Sequence, residues 1–256
     1  MDSTDYEHIK ICHVNCQSLF AHMDEFRLFF SDSDFHIICM SETWLRTEIS
    51  DALVSLPGYT LHRCDRVGRQ GGGVAFYIAN GLHASVLCSS YGALPGRPEF
   101  LIAEISSQGS SKLLLAVVYR PPNIGYLSEF FELFSDLRLR YRHSVILGDF
   151  NADMCRESYD RQQVLNYITA LGYYLVSYNP THNLKNSSTW LDLCIADDPD
   201  KIMEHGQQDV AFLSAHDLIY VRYKIRIHRR SCRSVTFRDW RSLDAALFQA
   251  DIERID

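Results

Sequence analysis

Ten short apolar runs, separated by turn-forming residues, constrain the fold of this chain more than any other feature of its sequence. Each run is five to eight residues long, which is typical of buried β-strands, and Gly, Pro, Ser, Asn or Asp lie between them. The runs are HIKICHVN (8–15), FHIICM (35–40), GVAFYIA (73–79), EFLIAEI (99–105), KLLLAVVY (112–119), SVILGDF (144–150), YYLVS (173–177), WLDLCIA (190–196), DVAFL (209–213) and LIYVRYKI (218–225). Helical spacing of apolar residues is found from Leu19 to Phe30 and across residues 126–142 and 161–172, where Gly172 is the expected stop. Many strands with a few interspersed helices predict a layered α/β domain.

Composition narrows the classes of partner that the chain can have. The longest purely apolar run, residues 113–119, is far shorter than the roughly 18 residues that a membrane span needs, so no membrane partner is expected. The net charge of −7 argues by itself against a nucleic-acid partner, because Lys and Arg supply the attraction to phosphates. Arginines cluster at residues 62–73 and 226–233, and each cluster is consistent either with phosphate contacts or with an ordinary solvated loop or tail.

Polar residues recur at the downstream ends of the apolar runs. Taken singly each is ordinary, because a strand end is a common place for a chain to become polar. The residues are Asn15, Glu42, Tyr119, Arg120, Asp149, Asn151 and His216. Strand ends that meet at one edge of a sheet bring such side chains together, so the recurrence predicts a shared site.

The residue types in this set suit one kind of chemistry. A carboxylate such as Glu42, supported by the amide oxygen of Asn15, suits Mg²⁺, which is held by few protein carboxylates and keeps several waters. Asp149 followed by Asn151 offers a base beside a side chain that can position water. Asp192 lies in a neighbouring run and can pair with His216, fixing the tautomer of the imidazole and favouring its charged form. The set predicts metal-assisted hydrolysis of a phosphate ester.

Seven segments resemble, in order and spacing, the endonuclease/exonuclease/phosphatase superfamily. They are NCQSL (15–19), SETWL (41–45), GGGVAFYI (71–78), VYRPP (118–122), LGDFNAD (147–153), STWLDL (188–193) and LSAHDLI (213–219). More narrowly, they resemble the apurinic-like endonuclease domain of non-LTR (LINE-type) retrotransposon ORF2 proteins. The resemblance implies a two-layered α/β sandwich of the DNase I-like type, with the site at one edge.

The same resemblance implies a domain division and an activity. Residues 1–230 would form the domain, and residues 231–256 would be an extension, with a helix at 242–255, leading toward a reverse transcriptase. The implied enzyme uses Mg²⁺, with Mn²⁺ as a substitute, and nicks one strand of double-stranded DNA. Its 3′-hydroxyl product would prime reverse transcription by a domain of the same polypeptide. After synthesis in the cytoplasm, such a protein acts on chromosomal DNA in the nucleus.

Two alternatives to this activity remain open. One is a catalytically silent DNA-binding module, and the other is a phosphoesterase of the same fold that acts on lipid headgroups. Nicking of plasmid DNA and release of phosphate from a headgroup separate them.

Site residues are also implied by the resemblance. Glu42 is the principal metal ligand with Asn15 in support, Asp149 and Asn151 align or activate water, Tyr119 approaches a phosphate oxygen, and His216, oriented by Asp192, stabilises charge on phosphorus. DNA contacts fall to Arg120 and to the loop at 180–188, whose Asn183, Lys185 and Ser188 are expected to influence site choice. The neighbouring Trp44, Trp190 and Phe150 are expected in the core, and His13, His22, His36 and His62 have no motif that supports a role.

Ala215 departs from the pattern of the resembled family. The family usually has aspartate before this histidine, giving Ser-Asp-His, whereas this chain has Ser214-Ala215-His216. Either the natural protein has degenerated there or the aspartate was replaced deliberately, and the intact remainder of the motifs favours an engineered inactive variant. Asp217 is the competing candidate for the missing carboxylate.

Overall fold

The computed structural model describes residues 5–90, 96–107, 111–122, 127–228 and 249. The predicted extension at 231–256, with its helix, lies outside the described residues except for Gln249. Among the described residues, no helix is both long and apolar enough to cross a membrane.

Fourteen strands and three α-helices make up the described part of the chain. In order they are β1 (Asp5–Asn15), α1 (Met23–Phe30), β2 (Ile37–Ser41), β3 (Tyr59–Cys64), β4 (Val74–Ala79), β5 (His83–Ser89), β6 (Glu99–Ser106), β7 (Leu113–Tyr119), α2 (Ser128–Arg138), β8 (His143–Asp149), α3 (Tyr159–Leu171), β9 (Tyr174–Leu175), β10 (His182–Leu184), β11 (Ser187–Thr189), β12 (Asp192–Ala196), β13 (Ile202–Gln208) and β14 (Leu218–His228). Short 3₁₀ turns occur at Phe20–His22 and Pro199–Lys201.

Two six-stranded sheets pack face to face. Their strand orders are β13-β14-β1-β2-β4-β3 and β5-β6-β7-β8-β12-β9, while β10 and β11 form a separate hairpin. A buried apolar cluster with Ile9, Ile11, Leu115 and Val117 fills the space between the sheets. The outer face of the first sheet packs against α1, and that of the second packs against α2 and α3. This arrangement confirms the expected two-layered α/β sandwich, each layer being a sheet with its helices.

Strand direction places the predicted polar residues at one edge of the sandwich. The strands β1 and β2 are parallel, so Asn15 lies beside Ser41. The strands β7 and β8 are also parallel, which puts Tyr119 beside Asp149. The strand β12 runs antiparallel to β8 and begins with Asp192 directly opposite Asp149. Residues from distant parts of the sequence therefore meet at this edge.

The three predicted helical stretches are helical, and Gly172 ends α3 in the left-handed conformation, with φ +68°. The predicted strand DVAFL (209–213) is wrong, since it contains a turn in which the Leu213 amide donates to the Val210 carbonyl at 2.8 Å. Val210 and Leu213 are both buried, and their spacing of three suits a turn better than the alternation of a strand.

Candidate active site

The inner face of the sandwich changes from apolar to polar at one edge, and this change forms the site. Alternate residues of β1 point between the sheets, so Ile9 and Ile11 are followed on the same face by His13 and Asn15. On the facing sheet, β7 ends at Tyr119 and β8 ends at Asp149, while the antiparallel β12 begins at Asp192. All five polar side chains are buried.

Asn15 joins two carboxylates. Its amide nitrogen donates to Asp149 Oδ2 at 3.0 Å and lies 3.4 Å from Glu42 Oε1, while its amide oxygen accepts from the Gln17 backbone at 3.2 Å. This orientation corrects the expectation that the Asn15 oxygen supports a metal, because only the NH₂ end of an amide can meet two carboxylates. In this structure Asn15 positions Glu42 and Asp149 instead.

Asp149 is buried, with only 1% of the residue exposed. Its Oδ1 accepts from the Asn151 backbone at 3.0 Å. Burial, followed by the negative charge of Asp192, raises the pKa of Asp149 above its usual range. Glycine is needed just before it, because a Cβ at Gly148 would lie 2.0 Å from the Val118 carbonyl oxygen.

Asp192 and His216 form the expected pair. His216 Nδ1 lies 2.8 Å from Asp192 Oδ2. Burial lowers the pKa of His216, but the charge and hydrogen bond of Asp192 outweigh it and raise that pKa to about 9. Burial likewise acts to raise the pKa of Asp192, and the charge of His216 holds it below its usual value. The histidine is therefore an imidazolium at neutral pH.

Three residues that surround this pair were not identified by sequence reasoning. Thr181 Oγ1 donates to Asp192 Oδ2 at 2.7 Å, and the His182 ring centre lies 4.5 Å from that of His216. His13, expected to be an ordinary polar residue, is buried with Nδ1 3.4 Å from Asp192 Oδ1. Strand alternation could have identified His13, because it shares a face of β1 with Asn15. Nothing local in the sequence indicates the other two.

Strained backbone concentrates at the same edge. The five described non-glycine residues with positive φ are Gln17, Ser18, Glu42, Trp44 and Asn151, all of which follow β1, β2 or β8. Left-handed conformations at such residues cost about 1–3 kcal/mol each and cluster at functional sites. Here the Ser18 amide donates to the Glu42 carbonyl at 3.0 Å and the Trp44 amide to the Gly72 carbonyl at 2.9 Å, so neighbouring loops hold the strained residues.

Arg120 is not placed for DNA contact. Its side chain is 3% exposed and lies 2.9 Å from Asp160, and it also donates to the carbonyls of Phe150 and Asn151. The side-chain amide nitrogen of Asn151 donates in turn to the Arg120 carbonyl at 2.8 Å. This placement corrects the expectation of a DNA contact, because the buried guanidinium is already occupied in holding the turn after Asp149.

Tyr119 faces the carboxylates. Burial, then the charges of Glu42 and Asp149, raises the pKa of Tyr119 well above its usual value, so the phenol keeps its proton. The Arg66 guanidinium carbon lies 5.7 Å from the centre of the ring. A protonated phenol next to Glu42 is a hydrogen-bond donor pointed at the site.

Trp44 borders an open hollow beside the site. Its ring is 42% exposed, which corrects the expectation of a core position, and its Nε1 donates to Glu42 Oε2 at 3.0 Å. Phe150 is fully buried and Trp190 partly buried against the core, as expected. The hollow has a volume of about 440 Å³ and is lined by Trp44, Leu45, Arg46, Arg69, Gln70 and Gly71.

The arginines near this hollow divide into two kinds. Arg63 pairs with Asp51 at 2.7 Å, and Arg66 pairs with Glu99, so both hold the loop together. The guanidinium groups of Arg46 and Arg69 are not paired with any carboxylate in the described ranges, and both residues are exposed. In the arginine cluster at 62–73, Arg63 and Arg66 are therefore structural, and Arg69 is available to a ligand. Most of the second cluster, at 226–233, lies outside the described residues.

The hairpin β10–β11 lies on the other side of the site. The Asn183 amide donates to the Ala215 carbonyl at 2.9 Å, and the Asp217 amide donates to the Thr181 carbonyl at 2.6 Å. Asn183, Lys185 and Ser188 are exposed on this hairpin. The Asp217 carboxylate accepts from Gln207 Nε2 at 2.8 Å, so in this structure it is already engaged by a neighbouring side chain.

The acidic side chains suit a divalent cation. Ligand atoms of Asp149, Asp192 and His216 lie within 4.8 Å of one another. Glu42 is joined to Asp149 through the Asn15 amide, and these two carboxylates are the ones that Asn15 holds together at the edge of the site. Hard oxygen donors favour Mg²⁺ or Mn²⁺, and a cation offsets the repulsion of two carboxylates held by one amide.

Solved structures with the same fold include nucleases and a phosphatase. The endonuclease domain of TRAS1, a telomere-specific non-LTR retrotransposon, is similar with a TM-score of 0.66 and 13% identity, over 84% of this chain and 98% of that one. The AP endonuclease LMAP from Leishmania major gives 0.64 and 16%, over 85% and 88%. The 3′ phosphatase NExo from Neisseria, bound to product DNA hairpin, gives 0.61 and 16%, over 84% and 99%.

Sequence comparisons give the family. No curated protein sequence matches the chain. The profile of the Endonuclease/Exonuclease/phosphatase family matches residues 12–233, which include every residue of the site described above. The chain therefore belongs to the endonuclease/exonuclease/phosphatase family.

Proposed function

We propose that this chain is a Mg²⁺-dependent DNA endonuclease that nicks one strand of double-stranded DNA. The nick would leave a 3′-hydroxyl that primes reverse transcription by a further domain of the same polypeptide, on chromosomal DNA in the nucleus. The observation that carries the proposal is the buried Asp192–His216 ion pair, whose imidazolium is placed beside the carboxylates of Asp149 and Glu42.

Hydrolysis of a DNA phosphodiester needs a positioned water and a proton acceptor. Asp149 takes the proton of the attacking water, and Asn15 and the Asn151 backbone hold its two oxygens in place for this step. As the water oxygen bonds to phosphorus, the bond between phosphorus and O3′ breaks, and O3′ takes up a proton from solvent. The products are a 5′-phosphate and a 3′-hydroxyl.

The reaction also needs stabilisation of the negative charge that develops around phosphorus. The His216 imidazolium supplies a fixed positive charge, and Tyr119 supplies a hydrogen bond from its phenol. Glu42 and Asp149 would hold Mg²⁺, which would supply Lewis-acid stabilisation of the phosphate. Removal of one such positioned group typically costs about 10²–10³-fold in rate.

A polymeric substrate is favoured by the surfaces on both sides of the site. The hollow beside Trp44 offers two unpaired arginines and an aromatic face, which suit a phosphate and a base. Across the site, the exposed hairpin residues can reach the same strand. The similar structures include the endonuclease domain of a retrotransposon, which agrees with this proposal. We further propose that Ala215 reduces the activity of this chain.

Two other functions are tested by the same assays. A silent DNA-binding module would retain DNA but never nick it, even with aspartate at position 215. A headgroup phosphoesterase would release phosphate from a lipid and leave supercoiled plasmid intact. Both substrates should therefore be offered to the Ala215→Asp variant with Mg²⁺, and nicking of the plasmid alone is the outcome we expect.

Arg46 and Arg69 should supply attraction to DNA phosphates despite the net negative charge. We expect the double variant Arg46→Gln, Arg69→Gln to lower the slope of log affinity against log salt by about 2, roughly one for each lost phosphate contact. Fluorescence anisotropy with a DNA duplex across a salt series measures this slope. The matched control, Arg140→Gln with Arg142→Gln, removes the same charge from exposed residues before β8, at the end remote from Asp149. Equal slopes for the two double variants would exclude the hollow as a phosphate site.

The hairpin tip should determine where the DNA is cut. Replacing residues 183–188 while keeping Thr181 and His182 preserves the contacts to Asp192 and His216. We expect nick positions to change while the rate at the best site stays within about tenfold, since the exchanged residues contact DNA and not the reacting phosphate. Sequencing of nicks on random DNA measures both quantities. Unchanged positions with a lower rate would make the hairpin a structural element only.

A further inference from the structure

Two buried polar atoms face each other behind the Asp192–His216 pair. His13 Nδ1 and Asp192 Oδ1 are 3.4 Å apart, and neither has another hydrogen-bond partner within the described residues. Both side chains are fully buried. A buried carboxylate oxygen and a buried ring nitrogen that both lack a partner are destabilising, so their mutual placement needs a reason.

The tautomer of His13 depends on its other neighbour. Its Nε2 lies 3.1 Å from the hydroxyl of Ser41, which is buried at the end of β2. A Ser41 hydroxyl that donates to Nε2 leaves the ring proton on Nδ1, where it points at Asp192 Oδ1. The opposite tautomer would set a nitrogen lone pair against the carboxylate.

We propose that His13 is a positioning residue that holds Asp192, through a hydrogen bond from Nδ1, in the orientation that the catalytic His216 requires. Asp192 then has a donor on every side: His13 on Oδ1, with Thr181 and His216 on Oδ2. The contact is longer than a well-formed hydrogen bond, and such contacts often shorten when substrate binds. His13 acts only through Asp192, and its part in hydrolysis rests on the function proposed above.

The geometry gives His13 a role beyond filling space. It lies on β1 of the first sheet, whereas Asp192 begins β12 of the second, so the contact ties the two sheets together where the site forms. Without it, one carboxylate oxygen would be buried with no partner, and Asp192 could turn away from His216. Outer-shell partners of this kind typically change activity by about 10–100-fold when they are removed.

Two isosteric replacements separate positioning from packing. The amide nitrogen of His13→Asn can occupy the place of Nδ1 and keep the bond to Asp192. The amide of His13→Gln instead reaches the place of Nε2, near Ser41, and His13→Leu keeps neither bond. The control His143→Leu removes a half-buried histidine at the other end of β8.

The first readout is independent of activity. In ¹⁵N-labelled protein without metal or DNA, the hydrogen-bonded Nδ1 proton of His216, assigned by its loss in His216→Gln, should give a downfield resonance. We expect this resonance to persist in His13→Asn and His143→Leu and to shift or broaden in His13→Gln and His13→Leu. In an Ala215→Asp background, kcat should fall about 10–100-fold in the Gln and Leu variants, with KM unchanged.

The Asn and Gln variants decide the outcome even if His13→Leu fails to fold. The same His216 resonance in both, or a kcat equally reduced in both, would overturn the proposal. A difference between them in the resonance, with no nicking by any variant, would leave the role of His13 intact and count only against DNA as the substrate.

Discussion

Ala215→Asp is expected to raise the rate of Mg²⁺-dependent nicking at least about 10²-fold, equivalent to roughly 2.7 kcal/mol of barrier. Ala215 lies between Ser214, which donates to the Asn15 carbonyl at 2.8 Å, and His216, so a carboxylate there adds negative charge next to the site. That carboxylate can contact the coordination shell of the metal or stabilise the segment around His216. The rate is measured on supercoiled plasmid across a Mg²⁺ series.

Asp217→Ala is the matched test of the competing carboxylate. The Asp217 carboxylate is already engaged by the side chains of Gln207 and Asn183. Positions 215 and 217 are also about 6–7 Å apart along an extended chain, which is too far for the same metal contact. We therefore expect Asp217→Ala to leave the activity of Ala215→Asp nearly unchanged. Equal rates for the parent and Ala215→Asp, with loss only in Asp217→Ala, would reverse the assignment.

Asp149→Asn is expected to lower nicking by about 10³-fold in the Ala215→Asp background, because it removes the proton acceptor and one of two carboxylates available to the metal. DNA affinity should change much less, since Asp149 is buried and makes no surface contact. Single-turnover rates and anisotropy measured on the same duplex separate the two effects.

The control for Asp149→Asn is Asp197→Asn. Asp197 follows β12 at the end remote from Asp192, and it accepts from Tyr223 at 2.7 Å, so the variant also removes a hydrogen-bonded carboxylate. Thermal unfolding of both variants gives the stability cost of each change. A near-normal nicking rate in Asp149→Asn would show that Asp149 is not the proton acceptor, whatever the effect of the substitution on stability.

The positions of nine strands and of the polar residues at their ends could be predicted because both depend on local pattern, whereas β3, β5, β10, β11 and β13 were not among the predicted runs. Apolar runs with polar residues at their ends placed Asn15, Glu42 and Asp149 correctly at strand ends. The resemblance supplied the pairing of Asp192 with His216. Asn15 and Asp149 are 134 positions apart in the sequence and lie in different sheets, so the packing of one sheet on the other brings them together.

The contacts that could not be predicted depend on which direction a side chain takes. Arg120 follows a strand end like the others, yet its guanidinium is turned inward to Asp160. Trp44 has a large aromatic side chain of the kind expected in a core, but its left-handed backbone conformation directs the ring to the surface. His13 has no motif, and its partner is on the other sheet. Each of these outcomes is set by packing between elements, which periodicity along one strand does not encode.

Nicking of supercoiled plasmid by Ala215→Asp is the decisive measurement for the proposed metal-dependent cutting of one DNA strand. We predict that Mg²⁺, but not EDTA, converts plasmid to the open circle, with ends that a polymerase extends without prior treatment. The double variant with Asp149→Asn should lose this activity. An intact plasmid at every Mg²⁺ concentration, or equal nicking by the double variant, would contradict the account.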